Sequence, residues 1–138
     1  MANIKFMQPA EVEVLYILPA IRRELAIEMK KLFVEQKKIA KLLCVTEAAV
    51  SQYLNSKRAA KVKFSKKAAV AIRKSAKKIT TELIMISETQ NLLKLMRDMR
   101  ITCDIHEKLA DIPEGCIVCF TSDEEQICFH TNSSSSNS

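Results

Sequence analysis

The chain has 138 residues, a length that suits one domain, or one small domain with an appendage, and that can build a core without staples. Apolar residues make up 48% and charged residues 28%, glycine occurs once and tryptophan never, a balance that excludes a glycine-rich sandwich or barrel and favours helices. The net charge of +6 favours a polyanionic partner, either nucleic acid or an anionic membrane surface, and no apolar run approaches the roughly 18–20 residues that span a bilayer.

Residues 1–7 read as a loose start. Residues 8–17, QPAEVEVLYI, fit either a short helix or a strand, because Val12, Val14 and Tyr16 alternate. Pro19 disfavours helix at Leu18 and suits the first turn of a new one. From there Ile21, Leu25, Met29 and Leu32 recur at helical spacing, which predicts an amphipathic helix over 19–33. Residues 35–43 form the next helix, with Ile39, Leu42 and Leu43 apolar. Cys44 and Val45 make a short break, and Thr46 is an N-cap for a helix over 47–55. Residues 56–64 are basic and irregular. Ser65 caps a helix over 66–78, whose Ala69, Ile72, Ala76 and Ile79 share a face. Thr80 or Thr81 caps a long helix over about 81–100 that carries Leu83, Ile86, Leu93 and Met96. After Thr102 the character changes. Residues 103–130 hold four of the five cysteines, both histidines and Gly115, and the tail TNSSSSNS has the low complexity of a disordered segment.

The N-terminus lacks a secretory pattern, since acids precede any apolar stretch, so a cytoplasmic location is expected. In that setting five cysteines read as thiols or metal ligands before they read as disulfides.

The two short helices around residue 44 have what a DNA-reading helix pair needs. Ala40 is small where the helices cross, and Ile39, Leu43, Val45, Val50 and Tyr53 can clamp them together. Thr46, Glu47, Ser51, Gln52 and Asn55 supply a cap and short polar side chains on the outer side of the second helix. The stretch QKKIAKLLCVTEAAVSQYLNSKR resembles the helix-turn-helix of the Cro/lambda-repressor-type regulators, and most closely a group of small archaeal predicted transcriptional regulators. The preceding ILPAIRRELAIEMKK and the basic stretch that follows also resemble that group, over roughly residues 10–60. The family usually carries glycine in the turn, where this chain has Cys44, and a non-glycine residue at positive φ carries strain.

The resemblance implies a regulator of transcription that binds double-stranded DNA. Thr46, Glu47, Ala48, Ser51, Gln52 and Asn55 would face the major groove. Gln52 and Asn55 would pair with adenine edges, and Ser51 with a base or a phosphate. Lys57 and Arg58 would contact phosphates at the helix end.

No acid occurs from Ser56 to Lys78, whereas Lys57, Arg58, Lys61, Lys63, Lys66, Lys67, Arg73, Lys74, Lys77 and Lys78 are basic. Such a run is most often a solvated face. Directly after a reading helix it suits a phosphate-contacting strip, and about six contacts would give a log–log salt slope near about −5. The helix over 66–78 has no Trp or Phe anchor, which argues against membrane insertion.

At the C-terminal end Cys103-x-x-His106 is followed, nine residues on, by Cys116-x-x-Cys119, with Cys128 and His130 beyond. A two-residue gap lets two side chains hold one metal from a tight turn, and Gly115 suits such a knuckle. Three cysteines with a histidine, or four cysteines, would close a zinc site, and four thiolates would equally hold an iron–sulfur cluster. His106 and Cys128 compete for the fourth place, His130 is incidental, and Cys44 reads as structural. The segment CDIHEKLADIPEGCIVC also resembles the cysteine-rich end of the archaeal group. A further upstream pair expected there is missing, since Leu93 and Met96 stand nearby instead.

No phosphate loop, nucleophile elbow or His-Glu-x-x-His helix is present, and a Cys103–His106 nucleophile pair explains less than a metal site does, so the chain does not read as an enzyme. The fold expected is mostly α. A DNA-binding head spans 8–79, a long helix that could build a homodimer spans 80–102, a cysteine-rich metal segment spans 103–130 and a disordered tail spans 131–138. The competing readings are a protein–protein adaptor, for which the basic strip only aids solubility, and a sequence-independent nucleic-acid binder.

Overall fold

The structure, a computed structural model, describes residues 7–55 and 62–109. It is mostly α, and no strand occurs among the described residues. No helix among them is long and apolar enough to cross a membrane.

Val12 and Ile17 are both 0% exposed, although they stand five residues apart. An α-helix brings i and i+4 to one face and a strand i and i+2, so neither buries this pair. A π-turn does. Helix α1 (Pro9–Val12) runs through a π-helical turn (Glu13–Ile17) directly into α2 (Leu18–Lys31). The Leu18 N–H donates to the carbonyl of Glu13, the five-residue bond of such a turn. Val14 and Leu15 are thereby left exposed.

The helix therefore does not break at Leu18, as Pro19 led one to expect. Proline has no N–H to give, and its ring crowds the carbonyl four residues back. The extra residue in the preceding turn widens the backbone where that crowding would fall. Pro9 begins α1 at a first-turn position, where proline loses nothing, and the Gln8 N–H donates to the Glu11 carboxylate at 2.7 Å.

Beyond Pro19 the expected stripe holds for Ile21, Leu25 and Met29, all at most 1% exposed. Leu32 lies past the helix end and is partly exposed. Helices α3 (Gln36–Leu43) and α4 (Glu47–Leu54) pack on each other and on α2. Helix α5 (Lys66–Lys78) also packs on α2, and α6 (Glu82–Asp98) covers α3 and α5. Helix α7 (Ile101–Leu109) closes against α6 and α1. One apolar cluster runs from Met7 through Met96. Ser65 and Thr81 cap α5 and α6, accepting from Ala68 N (3.3 Å) and Ile84 N (3.2 Å).

Of the positions expected on the inner face of α6, Leu93 and Met96 are buried and Leu83 and Ile86 are not. Met85, Thr89, Leu92, Leu93 and Met96 are buried, whereas Leu83 and Ile86 are 79% and 56% exposed. Thr89 is tolerated inside because its hydroxyl donates to the sulfur of Met85 at 3.2 Å. The Ser75 hydroxyl donates to Glu88 at 2.8 Å and ties α5 to α6.

With one glycine in the chain, helix ends use other residues in left-handed geometry. Phe33, Cys44 and Arg100 all have φ near 60°, each just after a helix. At Cys44 (φ 55°, ψ 41°) the Cys44 N–H donates to Lys41 O (3.2 Å) and the Val45 N–H to Ala40 O (3.0 Å), a complete Schellman closure. A side chain in this region costs about 1–2 kcal/mol, and glycine gives back part of that as chain entropy. Cys44→Gly is therefore expected to stabilise the fold by roughly 0.5–1 kcal/mol, a Tm rise of about 2–5 °C by calorimetry. An unchanged or lower Tm would contradict the strain assigned to this turn.

Candidate nucleic-acid interface

Helices α3 and α4 are held as one unit. Ile39, Leu43, Val50 and Tyr53 are buried between them and the core, Val45 packs against the same cluster, and Ala40 is buried at the contact. These are the clamp positions expected from the sequence. The turn between the helices is residues 44–46. Thr46 starts α4, its Oγ1 accepting from Ala49 N at 3.0 Å. A second link crosses the unit, because Gln36 Nε2 donates to the Glu47 carbonyl at 3.3 Å. The start of α3 is thus pinned to the start of α4. Sequence reasoning missed Gln36, which carries no pattern signal because its partner lies eleven residues away.

Burial of Ala49, Val50 and Tyr53 fixes which side of α4 faces out. Ala48, Gln52 and Asn55 are exposed on the opposite side, and Ser51 is half-buried beside them. These positions recur at three- and four-residue spacing, so they share one face. Thr46 and Glu47 are exposed at the helix start. Thr46 already has a task there, since its oxygen caps the helix. Glu47 carries a carboxylate, and the other outward side chains, of Ala48, Ser51, Gln52 and Asn55, are short and carry methyl, hydroxyl or amide groups, which are groups that read base edges.

The unit also carries a basic face that the sequence reading did not single out. Lys37, Lys38 and Lys41 of α3 are exposed, while Ile39, Ala40, Leu42 and Leu43 are buried. Among the residues of the acid-free run, Lys63, Lys66, Lys67, Lys74, Lys77 and Lys78 are exposed. Arg73 is compensated, its Nε lying 3.5 Å from Glu28, which also pairs with Lys31 at 2.9 Å. The run therefore has no acid in sequence but does have one in space. Helices α3 and α5 both lean on α2, so the two basic groups belong to one packed body. Lys57, Arg58 and Lys61 lie outside the described residues.

At the C-terminal end Cys103 and His106 lie on α7, a helix, rather than on the tight turn their spacing suggested. Three apart on a helix, they still share a face. Both are half-buried. His106 Nε2 is hydrogen-bonded to the Met7 carbonyl, and because a carbonyl only accepts, Nε2 is the donor. A metal-bound histidine commonly anchors its second nitrogen in this way. Cys103 and His106 are the two candidate donors that the described residues include. Cys116, Cys119 and Cys128 lie outside the described residues. No cluster of three or more His, Cys, Asp or Glu able to hold a metal occurs among the described residues.

No protein-family model, curated protein or solved structure matches this chain.

Proposed function

We propose that this chain is a DNA-binding transcriptional regulator, that α3 and α4 form its helix-turn-helix, and that α4 enters the major groove. The observation that carries this reading is the outward face of α4. Ala48, Ser51, Gln52 and Asn55 stand on a helix whose other side is locked by Ala49, Val50 and Tyr53. A rigid helix with short polar side chains suits base reading, because little side-chain entropy is lost on docking. Gln52 and Asn55 pair with adenine edges, and Ala48 with a thymine methyl group. Lys37, Lys38 and Lys41, together with Lys57, Arg58, Lys61 and Lys63, contact phosphates.

The chain acts as a homodimer on two half-sites under this reading. The exposed Leu83 and Ile86 of α6 favour self-association, since they are large apolar side chains left outside the core. The family resemblance of residues 10–60 points to the archaeal regulators with a Cro/lambda-repressor-type unit, and the protein works in the cytoplasm.

Duplexes selected from a random pool test the reading. Gln52→Ala with Asn55→Ala should cost about 1–3 kcal/mol per lost base contact, so selected-duplex affinity falls roughly tenfold or more for each. Affinity for a scrambled duplex should stay within about twofold, and wild type should load two chains per selected duplex. Equal losses on both duplexes, or no loss on either, would remove base reading from α4. Equal binding of both duplexes by wild type would bring the sequence-independent reading forward, and no binding of either duplex the adaptor reading.

The C-terminal cysteines form a metal site, with Cys103, His106, Cys116, Cys119 and Cys128 as the donor set. Zinc would supply structural closure there, and an iron–sulfur cluster would supply redox sensing. His106 and Cys103 orient from α7, and the Met7 carbonyl fixes the histidine tautomer. Elemental analysis of the purified chain should find about one zinc, or iron with sulfide, per chain. Cys116→Ser with Cys119→Ser should abolish it. A metal-free wild-type chain purified without chelator would contradict the site.

A further inference from the structure

A cleft of about 450 Å³ opens between α7 and the stretch that leads into α5. Cavities of this size accommodate small organic molecules. Its floor is apolar and is made by Tyr16, Val62, Ile101 and Ile105, all half-buried and packed against the core. Tyr16 belongs to the π-turn, which brings it to the cleft while Val14 and Leu15 are turned out to solvent.

The rim is charged. Lys63 stands on one wall and Lys108 on α7 opposite, with Asp104 one turn before Lys108. Asp104 lies in the first turn of α7, where a carboxylate complements the positive end of the helix. Neither lysine is in an ion pair among the described residues. Among the described residues, two ammonium groups against one carboxylate give the lining an excess of one positive charge beside an apolar floor.

We infer that this cleft binds a small amphipathic carboxylate, with its apolar body on the floor and its carboxylate between Lys63 and Lys108. Lys63 also lies on the route from α4 to α5, among the residues assigned above to DNA phosphates. A carboxylate held there draws Lys63 away from the backbone of the duplex. By linkage the duplex then weakens the ligand by the same factor. This coupling rests on the DNA reading; binding to the cleft does not.

Isothermal titration of the full chain with decanoate tests the cleft, with decyltrimethylammonium as the control of opposite charge, both kept below micelle formation. Decanoate should saturate at one per chain, and the cation should bind at least tenfold more weakly. Lys108→Gln should lower decanoate affinity at least tenfold with unchanged circular dichroism and Tm. Ile105→Trp, which fills the floor, should do the same. Should Ile105→Trp fail to fold, Lys108→Gln alone decides. No saturable uptake, equal uptake of the cation, or undiminished affinity in Lys108→Gln would overturn the site. In the same samples decanoate should weaken duplex binding severalfold in wild type and not in Lys108→Gln. Unchanged duplex affinity with decanoate bound would overturn the coupling while leaving the cleft standing.

Discussion

Ile21, Leu25, Ala26 and Met29 form an unbroken apolar edge along α2, none of them more than 1% exposed, and α3, α4, α5 and α6 all touch that helix. Burying Ile21, Leu25 and Met29 contributes about 1.5–3 kcal/mol each. The edge also sets geometry. Helix α4 can present one fixed face only because α2 and α3 hold its other sides. Where α2 begins is therefore critical, and the π-turn settles it. The extra residue keeps Val12 and Ile17 on the buried side and lets Pro19 stand inside a continuous helix.

The two ends of the chain's described part meet over this scaffold. His106 on α7 reaches the carbonyl of Met7, and Arg97 on α6 pairs with Glu13 of the π-turn at 2.8 Å. The ion pair is half-exposed and contributes at most about 1 kcal/mol. Its value is positional, since it fixes the end of α6 from which α7 departs. Helix α7 is thus tied, through Met7 and the π-turn, to the continuous helix on which α3 and α4 pack.

Local chemistry was the part most legible in the sequence. Thr46, Ser65 and Thr81 cap their helices because a hydroxyl just before an apolar-periodic run satisfies backbone donors within three residues. The clamp positions Ile39, Leu43, Val50 and Tyr53 were legible for a similar reason, being set by spacing along short helices. The π-turn was not. Its five-residue spacing matches neither the helical nor the strand period, so residues 8–17 read as ambiguous. The face of α6 was also hidden, because Leu83, Ile84, Met85 and Ile86 are four consecutive apolar residues and offer no unique side. Only the positions of α3 and α5 decide that Met85 goes in and Leu83 stays out. Contacts between distant residues, Arg73 with Glu28 or Gln36 with Glu47, left no trace in the pattern. Of the candidate site, the outward face of α4 was readable, and the lysines of α3 were overlooked because charged residues between core positions look like ordinary solvated ones.

If the outward face of α4 meets DNA as proposed, the amide spectrum of the isotopically labelled chain, recorded with and without a selected duplex, will show it. The largest shifts are expected on residues 46–55, with smaller ones at Lys37, Lys38 and Lys41 and little change along α6. Shifts centred on α6 or α7, with residues 46–55 unmoved, would contradict it.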